Sequence, residues 1–173
     1  RAPAPPLMHT GFFGPTACGK TTLAQALAVE KQKNGLAVLV CDPIGVHWPA
    51  ATWQTTDALL LLEKAKRARN CRIFIEEASL SVARDRDLSW LFTTARHAGH
   101  MTHVIGQDGA SLLPAMRQQL SSVYLFRCHP DLAEMWARQF ARPEIATQAP
   151  QLEQFEFLVC SAFLPLKRLR LKT

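Results

Sequence analysis

The sequence has no long hydrophobic run of the kind that membrane helices need. Apolar runs such as 58–62 are far shorter than the roughly 20 residues that span a bilayer, so we expect no transmembrane helix. The opening segment 1–8 does not begin with Met and lacks the apolar core of a signal peptide. We interpret it as an extended lead-in without chemistry.

Metal-like cysteine spacing and an excess of acidic charge are also absent. The five cysteines are scattered, mostly within or beside apolar runs, where a reduced thiol packs as a small hydrophobe. This usage suggests a reducing compartment. The 20 Lys and Arg against 14 Asp and Glu leave a net charge of +6, which favours polyanionic partners such as nucleic acid.

The sequence does contain the alternation of strand and helix patterns that is typical of one α/β domain. Its 173 residues suffice for one core but not for two, and no internal repeat interrupts them. Nearly continuous apolar runs alternate with helical patterns, which predicts a single doubly wound, mostly parallel sheet over residues 9–173. The predicted strands are 9–13, 37–41, 71–75, 102–106, 123–127 and 155–160, and the predicted helices are 20–33, 56–69, 85–98, 114–119 and 131–140.

The segment 85–98 shows the helical pattern well. Four apolar residues recur at i, i+3, i+4 and i+7 and predict one buried face. Arg96 falls outside this face, at the end of the predicted helix, which leaves it free to act outside the core. The apolar face consists of Leu88, Leu91, Phe92 and Ala95.

A complete phosphate-binding motif follows the first predicted strand. The residues 14–21 read G-P-T-A-C-G-K-T, the Walker A spacing, between a strand that ends at Phe13 and a helix that starts near Lys20. In this setting the glycines permit the loop path, and backbone N–H groups at the helix start bind phosphate. We therefore predict an ATP site with Mg²⁺. The predicted nucleotide-binding residues are Gly14, Pro15, Thr16, Ala17, Cys18, Gly19, Lys20, Thr21 and Thr22.

Within this motif three side chains have distinct predicted roles. Lys20 bridges the β- and γ-phosphates, and the Thr21 hydroxyl is a Mg²⁺ ligand, whereas Thr22 points elsewhere on the helix. Cys18 has two interpretations. Lysine and helix-dipole potential could lower its thiol pKa and make it oxidisable, or it is a small filler residue.

Two adjacent carboxylates follow the apolar strand 72–75. Ligands bind at such strand ends in open α/β sheets, so Glu76 and Glu77 are candidates for the site. We assign Glu76 to the Mg²⁺ shell and Glu77 to the attacking water as general base. The alternative is a solvated acidic strand end, and the pair is less specific than the usual Asp-Glu.

With these residues the chain resembles the FtsK and HerA superfamily of P-loop motors, most closely the genome-packaging ATPases of tailless, membrane-containing phages. The resemblance rests on the Walker A loop, on 40–43 (VCDP), on 74–78 (FIEEA), and on 94–97 (TARH) leading to 104–107 (VIGQ). It implies that Gln107 senses the γ-phosphate and that Arg96 is a trans-acting arginine finger.

One position departs from this family pattern. Glu76 stands where the family has Asp, which leaves open which of Glu76 and Glu77 performs which role. Arg117 is a second candidate for the finger because it follows the sensor strand. For both Arg96 and Arg117 the alternative is an ordinary exposed, salt-bridging residue.

The resemblance implies a homo-oligomeric ring that hydrolyses ATP and moves double-stranded DNA into a viral capsid. The implied partners include capsid vertex or portal-like proteins, and the implied location is the host cytoplasm, the virion or both. Two alternatives stay open. A small nucleotide or metabolite kinase would usually add an Arg-rich lid, and a nucleotide-switched phage assembly protein would usually add a membrane span.

Other basic segments are weaker candidates for DNA contact. The tail 167–172 alternates at its end and places Arg168, Arg170 and Lys172 on one face. Such a face could contact DNA phosphates or a neighbouring subunit, or it could protect an edge strand by its charge. Arg84, Arg86 and the segment 107–119 are alternatives that no spacing distinguishes.

Overall fold

A mostly parallel β-sheet with helices on both faces forms the centre of the molecule. The computed structural model describes residues 9–82 and 85–172, so the predicted lead-in 1–8 and Arg84 lie outside the described residues. The strands are β1 (His9–Phe13), β2 (Val38–Cys41), β3 (Trp53–Thr55), β4 (Arg72–Ile75), β5 (Met101–Gly106), β6 (Leu120–Phe126), β7 (Glu156–Ser161) and β8 (Lys167–Arg170). Their order is β3-β2-β4-β5-β1-β6-β7-β8, and β7 pairs antiparallel with both β6 and β8, whereas the other neighbouring strands pair parallel. The predicted α/β fold is confirmed.

Helices cover the two faces of this sheet. The helices are α1 (Lys20–Lys33), α2 (Ala58–Arg67), α3 (Ala78–Ser81), α4 (Trp90–Thr93), α5 (Pro114–Arg117), α6 (Pro130–Phe140) and α7 (Glu144–Gln148). Helix α1 packs on Phe12, Val40 and Phe74, while α2, α6 and α7 pack on the other face. Because both faces are covered, the central strands are buried at nearly every position and consist mostly of apolar residues, as is typical of parallel strands. No helix among the described residues is both long and apolar enough to cross a bilayer.

The parallel strands give the sheet two unlike edges. Strands β1 to β6 all end at one edge, which we call the carboxyl edge, and all begin at the other, the amino edge. Helices α1, α2 and α6 start near the carboxyl edge and run back to the amino edge. The carboxyl edge includes Phe13, Cys41, Ile75, Gly106 and Phe126, and the amino edge includes His9, Val38, Arg72, Met101 and Leu120.

The prediction of a single helix over 85–98 is wrong. The structure has a 3₁₀ turn at Asp87–Ser89, the short α4, and a second 3₁₀ turn at Ala95–Ala98. Thr93 bonds its hydroxyl back to Ser89 O, and Gly99 ends the segment at φ 80°. β-Branched threonines have low helix propensity, and left-handed glycine terminates helices. The predicted apolar face is nevertheless correct, because all four of its residues are buried.

Other boundaries differ by small amounts. β1 and α1 begin and end as predicted, whereas β6 begins three residues before the predicted start. Three short elements, β3, α3 and α7, were not predicted. β8 is the alternating basic segment; its four residues are exposed, and Arg168 pairs with Glu156 on β7.

Candidate nucleotide-binding site

The phosphate-binding motif forms a tight loop at the carboxyl edge. Gly14 N donates a hydrogen bond to Gln107 O at 3.1 Å, which joins the loop to the end of β5. A Cβ on Gly14 would lie 2.5 Å from Phe126 Cβ, so this backbone approach needs glycine. Gly19 has φ 103°, and a Cβ there would lie 2.4 Å from Leu171 Cδ1. Packing on both sides therefore fixes the loop path.

The Lys20 side chain folds back over this loop. Its Nζ donates to Pro15 O at 2.7 Å and lies 3.9 Å from Cys18 Sγ. Burial raises the pKa of the Cys18 thiol, and the Lys20 charge lowers it by less. The thiol is thus disfavoured as an anion, which supports the interpretation of Cys18 as a filler residue.

The two predicted Mg²⁺ ligands are in contact across the sheet. Thr21 Oγ1 donates a hydrogen bond to Glu76 Oε1, which links α1 to the end of β4. Among the described residues Glu76 Oε2 has no hydrogen-bond partner although it is buried. A hydroxyl beside an unpartnered carboxylate oxygen is the kind of oxygen donor set that Mg²⁺ takes, so these residues fit the ion.

Burial also changes the acidity of Glu76. Desolvation raises the pKa of this carboxyl, and the negative charges of Asp42 and Glu77 raise it further. The Thr21 hydrogen bond and the Lys20 charge lower it, but by less in total. A cation that approaches this buried carboxyl stabilises its charged form.

Glu77 lies in a strained turn directly after Glu76. Its φ of 44° and ψ of 57° are left-handed, which is uncommon for a residue with a side chain. Ser81 Oγ bonds to the carbonyls of Glu76 and Glu77 and supports this turn. The Glu77 carboxylate is half-buried and makes no hydrogen bond within the described residues. Strain of this kind clusters at functional sites.

Asp42 also belongs to this edge, although we did not predict it as a site residue. It is buried, and its carboxylate accepts hydrogen bonds from Ile44 N at 2.9 Å, Gly45 N at 3.2 Å and Trp48 Nε1 at 3.4 Å. Asp42 therefore holds the loop after β2 and adds negative charge near Glu76. The Asp-Pro-x-Gly sequence after a buried strand was the available turn signal.

Gln107 is exposed at the mouth of a cleft beside the phosphate loop. The cleft has a volume of about 630 Å³ and is lined by Pro15, Gln107, Asp108, Arg127 and His129, among others. Arg127 is a residue that sequence reasoning missed, because we placed it inside the strand. The strand ends at Phe126, so Arg127 is exposed at the edge where Gln107 lies.

The segment before β7 and the chain after β8 cover the other side of the loop. Gln154 Nε2 donates to Ala17 O at 3.4 Å, and Leu171 lies against Gly19. Phe155 is held there at φ 66° while its carbonyl accepts from Leu171 N at 3.0 Å. These contacts join residues far apart in sequence, and no local pattern indicated them.

The two arginine candidates do not join this site within the chain. Arg96 is exposed in the turn before β5, at the amino edge, so the length of β5 separates it from the phosphate loop. Six strand residues correspond to roughly 20 Å. Arg117 is half-buried and donates to Gly109 O at 3.4 Å, which leaves it less free than Arg96.

No protein-family model and no curated protein matches the chain. Solved structures do match. The genome-packaging NTPase B204 of Sulfolobus turreted icosahedral virus 2, in complex with ATP-gammaS, has a TM-score of 0.78 at 16% identity, over 95% of this chain and 97% of that one. The chain shares the fold of a viral packaging NTPase. The predicted resemblance to P-loop motors of the FtsK and HerA type is thus confirmed at the level of the fold.

Two further solved structures have the same fold. VirB4 of Thermoanaerobacter pseudethanolicus gives a TM-score of 0.68 at 9% identity, over 95% of this chain and 89% of that one. The cytoplasmic domain of the type VII secretion ATPase EccC of Thermomonospora curvata gives 0.71 at 11% identity, over 94% of this chain and 23% of that one. At these identities the likeness concerns the fold alone.

Proposed function

We propose that this protein is an ATPase that uses ATP hydrolysis to move double-stranded DNA into a viral capsid. The observation that carries the ATPase part is the hydrogen bond between Thr21 and Glu76. It joins the phosphate loop to the acidic end of β4, in the fold of the B204 packaging NTPase. A loop that matched the Walker A spacing only by chance would not require a buried carboxylate beside it.

Each site residue then has a defined role. The amides of residues 14–20 and the α1 N-terminus bind the β-phosphate, and Lys20 leaves its contact with Pro15 O to reach the transferring phosphate. Thr21 and Glu76 hold Mg²⁺, which supplies positive charge to the phosphates when bound. Glu77 is the general base for water, and Gln107 contacts the γ-phosphate from the adjacent strand end.

The position of Arg96 supports an assembly in which subunits complete one another's sites. Arg96 lies at the edge opposite its own phosphate loop, so it can act only on a nucleotide bound to a neighbour. We infer that copies arranged head to tail in this way form a closed ring with a central channel, as such contacts do when their rotation closes. Arg117 is the second candidate for the arginine finger, but its guanidinium already donates a hydrogen bond to Gly109 O.

The choice of DNA as the polymer that is moved rests on the function of the structural neighbour and on charge. B204 is described as a DNA-packaging ATPase, and the present chain has a net charge of +6. Capsid vertex or portal-like proteins are the further partners in this proposal. It places the protein in the host cytoplasm, in the virion or in both.

The test is a steady-state ATPase assay with and without linear duplex DNA. We expect Mg²⁺-dependent turnover that DNA stimulates, and no turnover in Lys20→Ala, which lacks the charge on the transferring phosphate. Turnover that requires a small phosphoryl acceptor identifies a kinase. Nucleotide binding without turnover under either condition identifies an assembly switch, and both results contradict the proposal.

A further inference from the structure

The amino edge carries a cluster of exposed cations around the end of α2. Lys64, Lys66, Arg67 and Arg69 are all exposed, and they occupy four of six consecutive positions. We call these four residues the basic surface. The segment that contains them has one exposed acid beside it, Glu63.

Arg96 borders this basic surface, because the chain after α2 packs directly on the turn before β5. Asn70 N donates to Ala98 O at 3.0 Å, and Arg72 Nη1 donates to Gly99 O at 3.3 Å. His100 connects the same two segments, since its Nδ1 accepts from Cys71 N at 3.0 Å. The cationic region therefore extends from α2 to the turn at Ala95–Ala98.

The cations of the basic surface are not neutralised, and aromatic rings orient two of them. None of the four forms an ion pair with another described residue. Lys64 Nζ lies 5.8 Å from the centre of the Trp53 ring, and Lys66 Nζ lies 6.0 Å from that of Trp90. Cation–π contact orients an ammonium group but keeps its full charge available to a ligand.

A polar groove continues the surface along α2. Lys66 and Arg86 stand on its rim together with Ser89 and Thr93, and its volume is about 560 Å³. Asp87 also lines the groove, so the cations outnumber the acid there. The groove lengthens the region over which an extended polyanion meets positive charge.

Two simpler explanations account for only part of this arrangement. Basic residues in the last turn of a helix complement its dipole, which explains Lys64, Lys66 and Arg67. It does not explain Arg69, beyond the helix, or Arg86, on a different segment. The second explanation is that these cations contact an acidic surface on a second copy of the chain.

The acids of the carboxyl edge are poorly suited to that second explanation. Asp42 and Glu76 are buried and already hydrogen-bonded. Of the exposed acids, Glu153 pairs with Arg170, and Asp131 lies 3.3 Å from His129, with which it forms an ion pair only when that ring is protonated. The Glu77 carboxylate is half-buried and makes no hydrogen bond, so among the described residues this edge offers a neighbour fewer free carboxylates than the basic surface has cations.

We propose that the basic surface binds the phosphate backbone of double-stranded DNA during translocation. The proposal rests on the proposed function and names the surface that contacts the polymer. Lysines and arginines that contact only phosphates, and not the base edges, bind DNA regardless of its sequence, as a translocating motor requires. Arg96 stays assigned to the nucleotide and is left unchanged in the test.

The test compares two triple variants for binding to a fluorescent linear duplex over a range of salt concentrations. Lys64→Gln/Lys66→Gln/Arg67→Gln removes three charges from the basic surface, and a second variant removes three exposed charges elsewhere. We expect the first to weaken binding about 10²-fold at about 0.1 M salt, with a salt slope smaller by about 3. The second variant, Arg138→Gln/Lys167→Gln/Lys172→Gln, should bind nearly as wild type does.

The remaining readouts separate the possible failures. DNA-free ATPase activity should stay unchanged in the first variant, and its melting temperature should fall by only a few degrees because helix-dipole and cation–π contacts are lost. Stimulation by DNA should be lost. If wild type binds duplex and the first variant binds equally well, the surface assignment is wrong and the proposed function stands. Equal losses in both variants, or loss of self-association in the first, also overturn it. If wild type binds no duplex, the proposed function itself fails.

Discussion

The two edges of the sheet use charged residues in opposite ways. At the carboxyl edge Asp42 and Glu76 are buried and bonded to the chain, so their positions are fixed before any ligand arrives. At the amino edge Lys66, Arg67 and Arg96 are exposed and have no ion-pair partner among the described residues. Fixed groups suit chemistry on a small ligand, whereas exposed cations suit contact with another macromolecule.

The largest expected effect comes from replacing Arg96. It tests whether this residue of the amino edge acts on the nucleotide bound at the carboxyl edge of another subunit. Arg96→Ala should bind ATP nearly normally but hydrolyse it roughly 10³-fold more slowly, because an arginine finger stabilises transition-state charge. Arg96→Lys is the matched control, since it keeps a charge but loses the planar fork and should recover little. Turnover and nucleotide affinity are measured separately.

Mixing makes the same experiment specific for action between subunits. Glu77→Gln subunits have inactive sites of their own but carry Arg96, so they should restore part of the turnover of Arg96→Ala subunits. Sedimentation shows whether the two variants co-assemble. Mixtures that co-assemble yet stay inactive contradict the role of Arg96 in trans and direct attention to Arg117.

A smaller effect distinguishes the two acids within the carboxyl edge. Glu77→Gln should bind ATP and Mg²⁺ normally while hydrolysis falls about 10²-fold, because only the general base is lost. Glu76→Gln should instead raise the Mg²⁺ concentration that half-saturates turnover. If the two phenotypes are exchanged, so are the roles, and the strained turn at Glu77 then holds the metal ligand.

An effect of comparable size concerns His103, which lies inside the sheet between the two edges. Its ring is fully buried, stacks on Phe74 at 4.5 Å and has no hydrogen-bond partner among the described residues. Burial lowers the pKa of His103 to about 3. The unfolded chain therefore binds a proton below about pH 6.5 that the folded chain excludes, and stability falls as pH drops from there towards 3.

Replacing this residue by Phe should remove that loss. Relative to wild type, His103→Phe should gain roughly 3 kcal/mol in the free energy of unfolding between about pH 7 and about pH 4. Denaturant titration at each pH measures the difference. Because Glu76 and His9 are present in both proteins, their own titrations cancel in the comparison. A difference that does not change with pH contradicts the buried neutral state of His103.

Local patterns were sufficient for much of the fold and for part of the site. Strand β1, the phosphate loop and α1 follow from an apolar run, two glycines and a helical segment, and their boundaries were predicted correctly. The segment 85–98 failed because its apolar spacing is helical while Thr93 and Gly99 break the helix. Periodicity identified the buried face but could not identify the type of element.

The sequence by itself determined the chemistry that is available, because the Walker A spacing, the Glu76-Glu77 pair and Gln107 are all short-range patterns. Only the tertiary structure decided which of these groups meet. It brought Thr21 to Glu76, placed Arg127 beside Gln107, laid Leu171 against Gly19 and put Arg96 at the opposite edge. The physical reason is strand order: β1 is the first strand of the chain but lies between β5 and β6 in the sheet, so the ends of these strands converge only after folding.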